Sequence, residues 1–327
     1  MSRKDLAQEW GRFIAAHHRI AVISHVNPDG DAVCATLAMG RLLERLNKDV
    51  TLINADPIPG KLAFLPGVER ILSPQEAATR GPFDAIVSVD AADEARMGNV
   101  SHLFAPRYTL ANLDHHVTNS RFGHLQFILP DAAASAEVIY HLAQELAWPL
   151  DREVATLLYA GLITDTGGFR FSNTTSAVHE MAAHLLRFGI DAGELNHRLL
   201  EQVTLGHLQL LQRALANLHL EWGGKCAWIS LNRSEIEAAA AEEEDVEGIV
   251  NYAIRLESVE VGICFRENAH SVKVSLRSKA TIDVAAVALA LGGGGHTRAA
   301  GCTLEGTLDE VVPQVLRRIE GCVSDAC

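Results

Sequence analysis

The sequence predicts an α/β protein in two parts: an amino-terminal domain on a parallel sheet, then a helical linker and a smaller α+β domain with a mixed or antiparallel sheet. Three observations predict it. Up to about residue 190, short apolar strand-like segments alternate with helical stretches, the pattern of a sheet covered on both faces. Beyond residue 220 the segments Lys225–Leu231, Glu260–Arg266 and Ser271–Arg277 follow one another without a clear crossover helix, which favours antiparallel or mixed pairing. A chain of 327 residues is also long enough for two separate cores. The expected divisions are 1–194, a linker at 195–220, and 221–327.

The elements follow in order. Asp5–His17 has helical spacing, with Leu6, Trp10, Phe13 and Ile14 on one stripe that reads as core packing. Ile20–Ser24 is a buried-strand pattern, followed by a polar loop and an Ala/Leu-rich helix to about Leu46. Val50–Ile53, Phe83–Val89, Tyr108–Leu113 and Leu125–Leu129 continue the strands, while Asp56–Gly67, with three prolines, reads as loop. Ala133–Leu146, Arg152–Ile163 and Ser176–Phe188 are expected helices, the last with Asn173 and Thr174 as capping candidates. Leu195–Leu220 reads as helical throughout, and the acidic stretch 238–247 as a solvated helix or loop.

Composition narrows the function. A net charge of −13 argues against non-specific binding of duplex DNA through a broad basic surface, yet allows a small anion held by local cations or metals. MSRKDLAQEW has no apolar signal core, and no apolar run approaches the ~20 residues of a membrane span. Six cysteines without a CxxC pair read as reduced thiols, so the expected setting is cytoplasmic, away from membranes.

The chemistry gathers at strand ends. His25, Asp29 and Asp31 lie in the loop after Ile20–Ser24; Asp90 ends Phe83–Val89; Asp114, His115 and His116 end the strand at Leu113; Asp165 ends the helix at Ile163. Asp29 and Asp31 could simply serve a turn and a helix cap, since Pro28-Asp29-Gly30 is good turn chemistry. That explanation weakens when four apolar elements each deliver Asp or His at a carboxyl end, where open α/β sheets bind ligands. Carboxylates and imidazoles without thiolate suit Mn²⁺ or Mg²⁺, with Co²⁺ or Zn²⁺ also compatible. The ligands outnumber the needs of one ion, so two divalent metal ions are expected, a pair about 3.5–4 Å apart that activates water for phosphoryl displacement. His17, His18, His102, His124 and His141 have no such setting and read as structural or surface residues.

HVNPDGD, SVDAAD, LDHH and GLITDTGGF resemble the four motifs of the DHH phosphoesterase superfamily, and KVSLRSK with GGGGHTRAAG resembles its associated substrate-binding domain. The resemblance spans nearly the whole chain and is nearest to the two-domain nanoRNase group. It implies one ion on His25, Asp29 and Asp90, the other on Asp31, Asp90, His115 and Asp165, with Asp90 bridging. Asp114 then orients His115, and His116 contacts phosphate. Asp93 and Arg96 read as a surface ion pair beside this motif. Mn²⁺ is the ion it favours, with Mg²⁺ or Co²⁺ as alternatives. In the second domain Ser275, Arg277, Gly293, Gly294, Gly295, His296 and Arg298 are the implied substrate contacts, a glycine loop whose N–H groups cradle anions beside cations. The implied activity is degradation of short oligoribonucleotides and linear dinucleotides (pApA, pGpG) to mononucleotides, with removal of phosphate from 3′-phosphoadenosine 5′-phosphate. Nucleotide bisphosphates are thus further partners, and a homodimer is allowed. Cyclic dinucleotides are a close alternative. Inorganic pyrophosphate is disfavoured by the GGGGH loop, and a non-catalytic nucleotide sensor by the intact ligand set.

Overall fold

Six strands give the first half of the chain its frame: β1 (Arg19–Ile23), β2 (Asp49–Ile53), β3 (Ile71–Leu72), β4 (Phe83–Val89), β5 (Phe104–Asp114) and β6 (Leu125–Ile128). In this computed structural model, which describes residues 2–241, 243–246, 248–279 and 282–324, they form one all-parallel sheet in the order β3-β2-β1-β4-β5-β6. The order reverses direction between β1 and β4. That is the switch point where a crevice opens beyond the carboxyl ends of the strands.

Alternation along β1 shows why the sheet is buried on both faces. Ile20 and Val22 pack with the helices Arg3–Ala16, Gly30–Arg45, Ser135–Glu145 and Arg152–Asp165. Ala21 and Ile23 pack the other way, with Ile86, Met97, Val100 and Leu103. Each fully buried Ile or Leu contributes about 1.5–3 kcal/mol. Trp10, Phe13 and Ile14 of the first helix are buried as its stripe predicts, and the helix opens on a reciprocal cap between Ser2 and Asp5. The helix Ser176–Leu186 is capped by Thr175, not by Asn173 or Thr174. The β3 strand, two residues long, carries no periodic signal and was not expected.

The chain divides into two compact units between Gln202 and Val203, inside the stretch expected as linker. That stretch is not one helix. A short helix and π-turn (Ala192–Asn196, His197–Glu201) end the first unit; Leu205–Ala216 is a helix of the second; Leu218–Glu221 is a strand, β7. Leu218-His219-Leu220-Glu221 alternates with period two, and Gly223 and Gly224 at φ +66° and +85° turn it into a hairpin with β8 (Cys226–Leu231).

The second sheet continues with β9 (Val261–Glu267), β10 (Ser271–Ser278), β11 (Gly294–His296) and β12 (Ala299–Glu305), in the order β11-β12-β10-β9-β8-β7. It is mixed: β8 and β9 run parallel and the rest antiparallel. A parallel pair needs a crossover, and the helices Arg233–Ala238 and Val250–Ile254 supply it. Of the acidic stretch 238–247, residues 242 and 247 lie outside the described ones. No helix among the described residues is long and apolar enough to cross a membrane. Cys34, Cys226, Cys264, Cys302 and Cys322 are all free thiols, the first four buried.

Candidate metal centre and active site

The carboxyl ends of β1, β4 and β5 bring the expected residues of the first unit together. His25 stands two residues past β1, Asp90 directly past β4 and His115 directly past β5. Asp90 is 2 % exposed and sits in the left-handed region at φ +57°, a conformation that costs energy for a side-chain-bearing residue and recurs at functional sites. Its two oxygens face opposite ways. His25 Nε2 lies 3.4 Å from Oδ2, and His115 Nε2 lies 3.6 Å from Oδ1.

Three overlapping groups of candidate ligands meet around this carboxylate, and the one formed by Asp90, His115 and His116 joins the other two. His25, Asp29 and Asp90 converge, as do Asp31, His115 and Asp165, the atoms of each set lying within 4.8 Å of one another. His115 Nε2 is 3.3 Å from Asp165 Oδ2 and His25 Nε2 is 3.8 Å from Asp29 Oδ1. Both imidazoles are held by backbone through Nδ1, to the Val26 carbonyl at 2.7 Å and the Ala132 carbonyl at 3.2 Å. Those bonds turn Nε2 of each ring inward toward the carboxylates, the atom a metal would take in exchange for any proton there.

Asp29 does two things at once. It caps the helix Gly30–Arg45, accepting from Ala32 N at 3.0 Å, and still faces His25. Asp31, fully buried, accepts from Ser135 N at 2.6 Å and Ala136 N at 3.1 Å, the open amino-terminus of the helix Ser135–Glu145. Ser135 Oγ donates to Asp90 Oδ1 at 2.9 Å. Sequence reasoning missed Ser135 because its partners are 45 and 104 residues away. It missed Gly161 too. A Cβ there would sit 2.5 Å from Asp31 Oδ1 and 2.8 Å from Ala136 Cβ, so only glycine lets these helices approach.

Asp114 departs from expectation. It does not orient His115; its Oδ1 accepts from His116 Nδ1 at 2.7 Å. His115 is already taken by Ala132, and the turn after β5 brings His116 back over the buried carboxylate. Asp93 caps the turn Glu94–Met97, and the Arg96 guanidinium lies beside the His25 ring in place of the expected ion pair. Among the remaining histidines, His124 Nδ1 accepts from Leu110 N and His141 faces Glu137, both structural roles.

The charges divide sharply. Burial and the neighbouring Asp90 and Asp29 push the Asp31 carboxyl well above the usual range. Burial, then the charges of Asp31, Asp29 and Asp90, do the same to Asp165. Burial opposes the charge on Asp90 as well, but the His25 hydrogen bond and the charges of His115, His25 and His116 hold its carboxyl below the ordinary value. Burial would lower His25 and His116; Asp90 lifts the first and Asp114, then Asp90, lift the second. Carboxylates crowded into mutual repulsion beside inward-facing imidazole nitrogens, with no thiolate, are a donor set that fits divalent cations.

The second unit holds the other expected residues. Arg277 pairs across with Ala299, which lies opposite His296; Ser275 pairs with Gly301, opposite Gly294. The glycine run is therefore not a free loop but an edge strand with a tight turn into β12. A Cβ on Gly293 would fall 2.2 Å from the Gly301 oxygen, and Gly295 has φ +138°, so the backbone path itself requires glycine. Gly294 opens onto free space. Arg298 donates to the Ile282 carbonyl at 2.8 Å and Arg277 to the Leu276 carbonyl at 3.0 Å. The side chain of His296 lies outside the described ones.

Residues 19–162 match the DHH family, N-terminal domain, and residues 234–325 match the DHHA1 domain. The chain is 36 % identical over 301 residues to a bifunctional oligoribonuclease and PAP phosphatase NrnA of Thermus thermophilus, covering 92 % of this chain and 89 % of that one. The NrnA of Bacillus subtilis is 24 % identical over 296 residues, 90 % and 91 % of the two chains. Among solved structures, an exopolyphosphatase-related protein from Bacteroides fragilis superposes with a TM-score of 0.91 at 25 % identity, over 98 % of this chain and 96 % of that one. With its candidate ligand clusters at the motifs of the first domain and its glycine strand in the second, this chain belongs to the DHH family and carries a DHHA1 domain.

Proposed function

We propose that the chain is a metal-dependent phosphodiesterase that degrades short oligoribonucleotides and linear dinucleotides to mononucleotides, and that it also dephosphorylates 3′-phosphoadenosine 5′-phosphate. One observation carries this reading: the two oxygens of the buried Asp90 carboxylate face one histidine of each candidate ligand group, Oδ2 toward His25 and Oδ1 toward His115. His25, Asp29 and Asp90 would hold one ion and Asp31, Asp90, His115 and Asp165 the other. A divalent pair so placed supplies an activated water and neutralises charge on the phosphate. Imidazole beside carboxylate favours Mn²⁺, with Co²⁺ and Mg²⁺ usable. The name of the Thermus relative, matched along nearly the whole chain, supports the substrate class.

The protein groups do the rest. His116, fixed by Asp114, presents Nε2 to the phosphate and hands a proton to the leaving oxygen. In the second unit Arg277 grips a substrate phosphate, while Ser275, Gly293, Gly294, Gly295, His296 and Arg298 line its approach. Chemistry and capture thus belong to different units, and small nucleotide ligands need no broad basic surface.

The test is a substrate panel with Mn²⁺: labelled dinucleotides, pentanucleotides, long RNA, cyclic dinucleotides, 3′-phosphoadenosine 5′-phosphate and pyrophosphate. The reading expects mononucleotide release fastest from the shortest linear RNAs, with all activity lost on exhaustive chelation and regained with Mn²⁺. Preference for pyrophosphate, or turnover that survives chelation, would overturn it.

A further inference from the structure

Asp114 is fully buried, and both its carboxylate oxygens are engaged. Oδ1 accepts from His116 Nδ1 at 2.7 Å; Oδ2 accepts from Asn119 Nδ2 at 2.6 Å. The same Asn119 nitrogen donates to the Ala91 carbonyl at 3.1 Å, one residue beyond Asp90. Asn119 Oδ1 accepts from Arg121 N at 2.7 Å, and its backbone N donates to the His116 carbonyl at 3.1 Å. The amide is thus used at both ends. It closes the turn that carries His116 and ties that turn to the end of β4.

A carboxylate held at one oxygen can rotate about its own axis, and an imidazole bonded to it follows. Held at both, its plane is fixed. Asn119 supplies the second hold on Asp114, and through Ala91 it sets that hold relative to Asp90. The separation of 3.8 Å between His116 Nδ1 and Asp90 Oδ1 is therefore kept by a side-chain strut as well as by the strands.

We infer that Asn119 is a positioning residue for the proposed phosphoester cleavage, fixing His116 through Asp114 so that Nε2 meets the leaving oxygen. The inference rests on the acid role given to His116 above. In that step water adds to phosphorus as the bond from phosphorus to the sugar oxygen breaks. The leaving oxygen takes the Nε2 proton, the ring keeps its Nδ1 proton on Asp114, and a proton released by the attacking water restores the imidazolium through solvent.

The experiment compares two leaving groups. A dinucleotide must expel a sugar oxygen, which needs a proton; bis-p-nitrophenyl phosphate expels a phenolate, which scarcely does. Asn119→Ala is expected to lower the ratio of dinucleotide to aryl-ester kcat by about tenfold or more, part of the ~10²–10⁴ of a positioned acid, with the dinucleotide KM changed less than kcat. Added to His116→Ala it should cause little further loss, because the two act as one unit. Asn119→Asp keeps the side-chain volume but replaces the donor with a carboxylate, and should show the same selective loss; it carries the test where the alanine variant does not fold. Equal loss on both substrates, or losses that multiply with His116→Ala, would overturn the inference while leaving the role of His116 intact. Should His116→Ala itself show no selectivity for leaving group, the acid role fails and the inference with it.

Discussion

Asp90→Asn is the sharpest test of the shared-ligand geometry. Asparagine keeps the shape and can still accept from Ser135 Oγ, the 2.9 Å bond that Asp90 makes now, so the local fold should survive. What it removes is the charge between His25 and His115. Loss of a group that merely orients a ligand costs about 10–100-fold in metal affinity, and loss of a direct ligand shared by two ions should exceed that. The consequence can be read in stability. At a Mn²⁺ concentration of about one hundred times the dissociation constant, each site stabilises the native state by about 2.7 kcal/mol, so two contribute about 5 kcal/mol. For a unit ending at Gln202, that corresponds to a rise in Tm of about 10–20 °C. A hundredfold loss of affinity leaves about 0.4 kcal/mol per site at the same concentration, a rise of about 2–3 °C in all. Thermal melts with and without Mn²⁺, beside metal analysis, measure both. Asp93→Ala is the control: it removes a cap from the turn Glu94–Met97, worth about 1 kcal/mol, and should leave the Mn²⁺ shift alone. A full Mn²⁺ shift in Asp90→Asn, or equal losses in the two variants, would refute the bridging role.

Three further outcomes are expected. Asp31 and Asp165 are raised above the unfolded carboxyl value and His25 and His116 above the unfolded histidine value, so their contributions favour the fold at low pH. The metal-free protein should lose stability as pH rises from about 4 toward 8, and the stabilisation by Mn²⁺, which displaces those protons, should grow over the same range in paired melts. Gly161→Ala should destabilise the first unit by about 1–3 kcal/mol and lower Mn²⁺ occupancy, despite the better helix propensity of alanine, because the new methyl meets Asp31 and Ala136; chemical denaturation and metal analysis check it. Arg277→Ala should lose about 1.5–3 kcal/mol of transition-state binding, roughly tenfold to a hundredfold in kcat/KM on dinucleotides relative to an aryl diester, with metal content unchanged.

Much of this was legible in the chain. Phe83–Val89 reads as a strand because every residue but Asp84 is apolar or small enough to bury, and the acid that breaks the run is Asp90 itself. His25 and His115 stood out for the same reason: polar groups immediately after apolar runs. What was not legible depends on contacts far apart in sequence. The helix expected from Ala133 starts at Ser135, and that offset decides which N–H groups Asp31 receives. Nothing near Ser135 announces it, since the cap Ala134 has no side-chain acceptor and Asp31 serves in its place. The choice of His116 over His115 by Asp114 follows from the turn geometry after β5, which residue order does not encode. The β7 strand was hidden because Leu218 continues the helical spacing of Leu211 and Leu215.

The structure also removes an opposition that the sequence suggests, between acids that cap helices and acids that bind metal. Asp29 caps one helix through Oδ1 and keeps a second oxygen; Asp31 takes the bare amino-terminus of another and keeps lone pairs on both. A carboxylate pinned by backbone N–H groups cannot swing, and the positive end of the helix lowers the cost of its charge. In the proposed site, capping is therefore what sets the candidate ligands in place before an ion would arrive. The helices Gly30–Arg45 and Ser135–Glu145 are anchored at their first turns to the very groups that the metals would claim. Substitution at either acid must then register in the fold as well as in the site, whereas a change at Asn119 leaves both anchors in place and acts on His116 through Asp114 and the turn after β5.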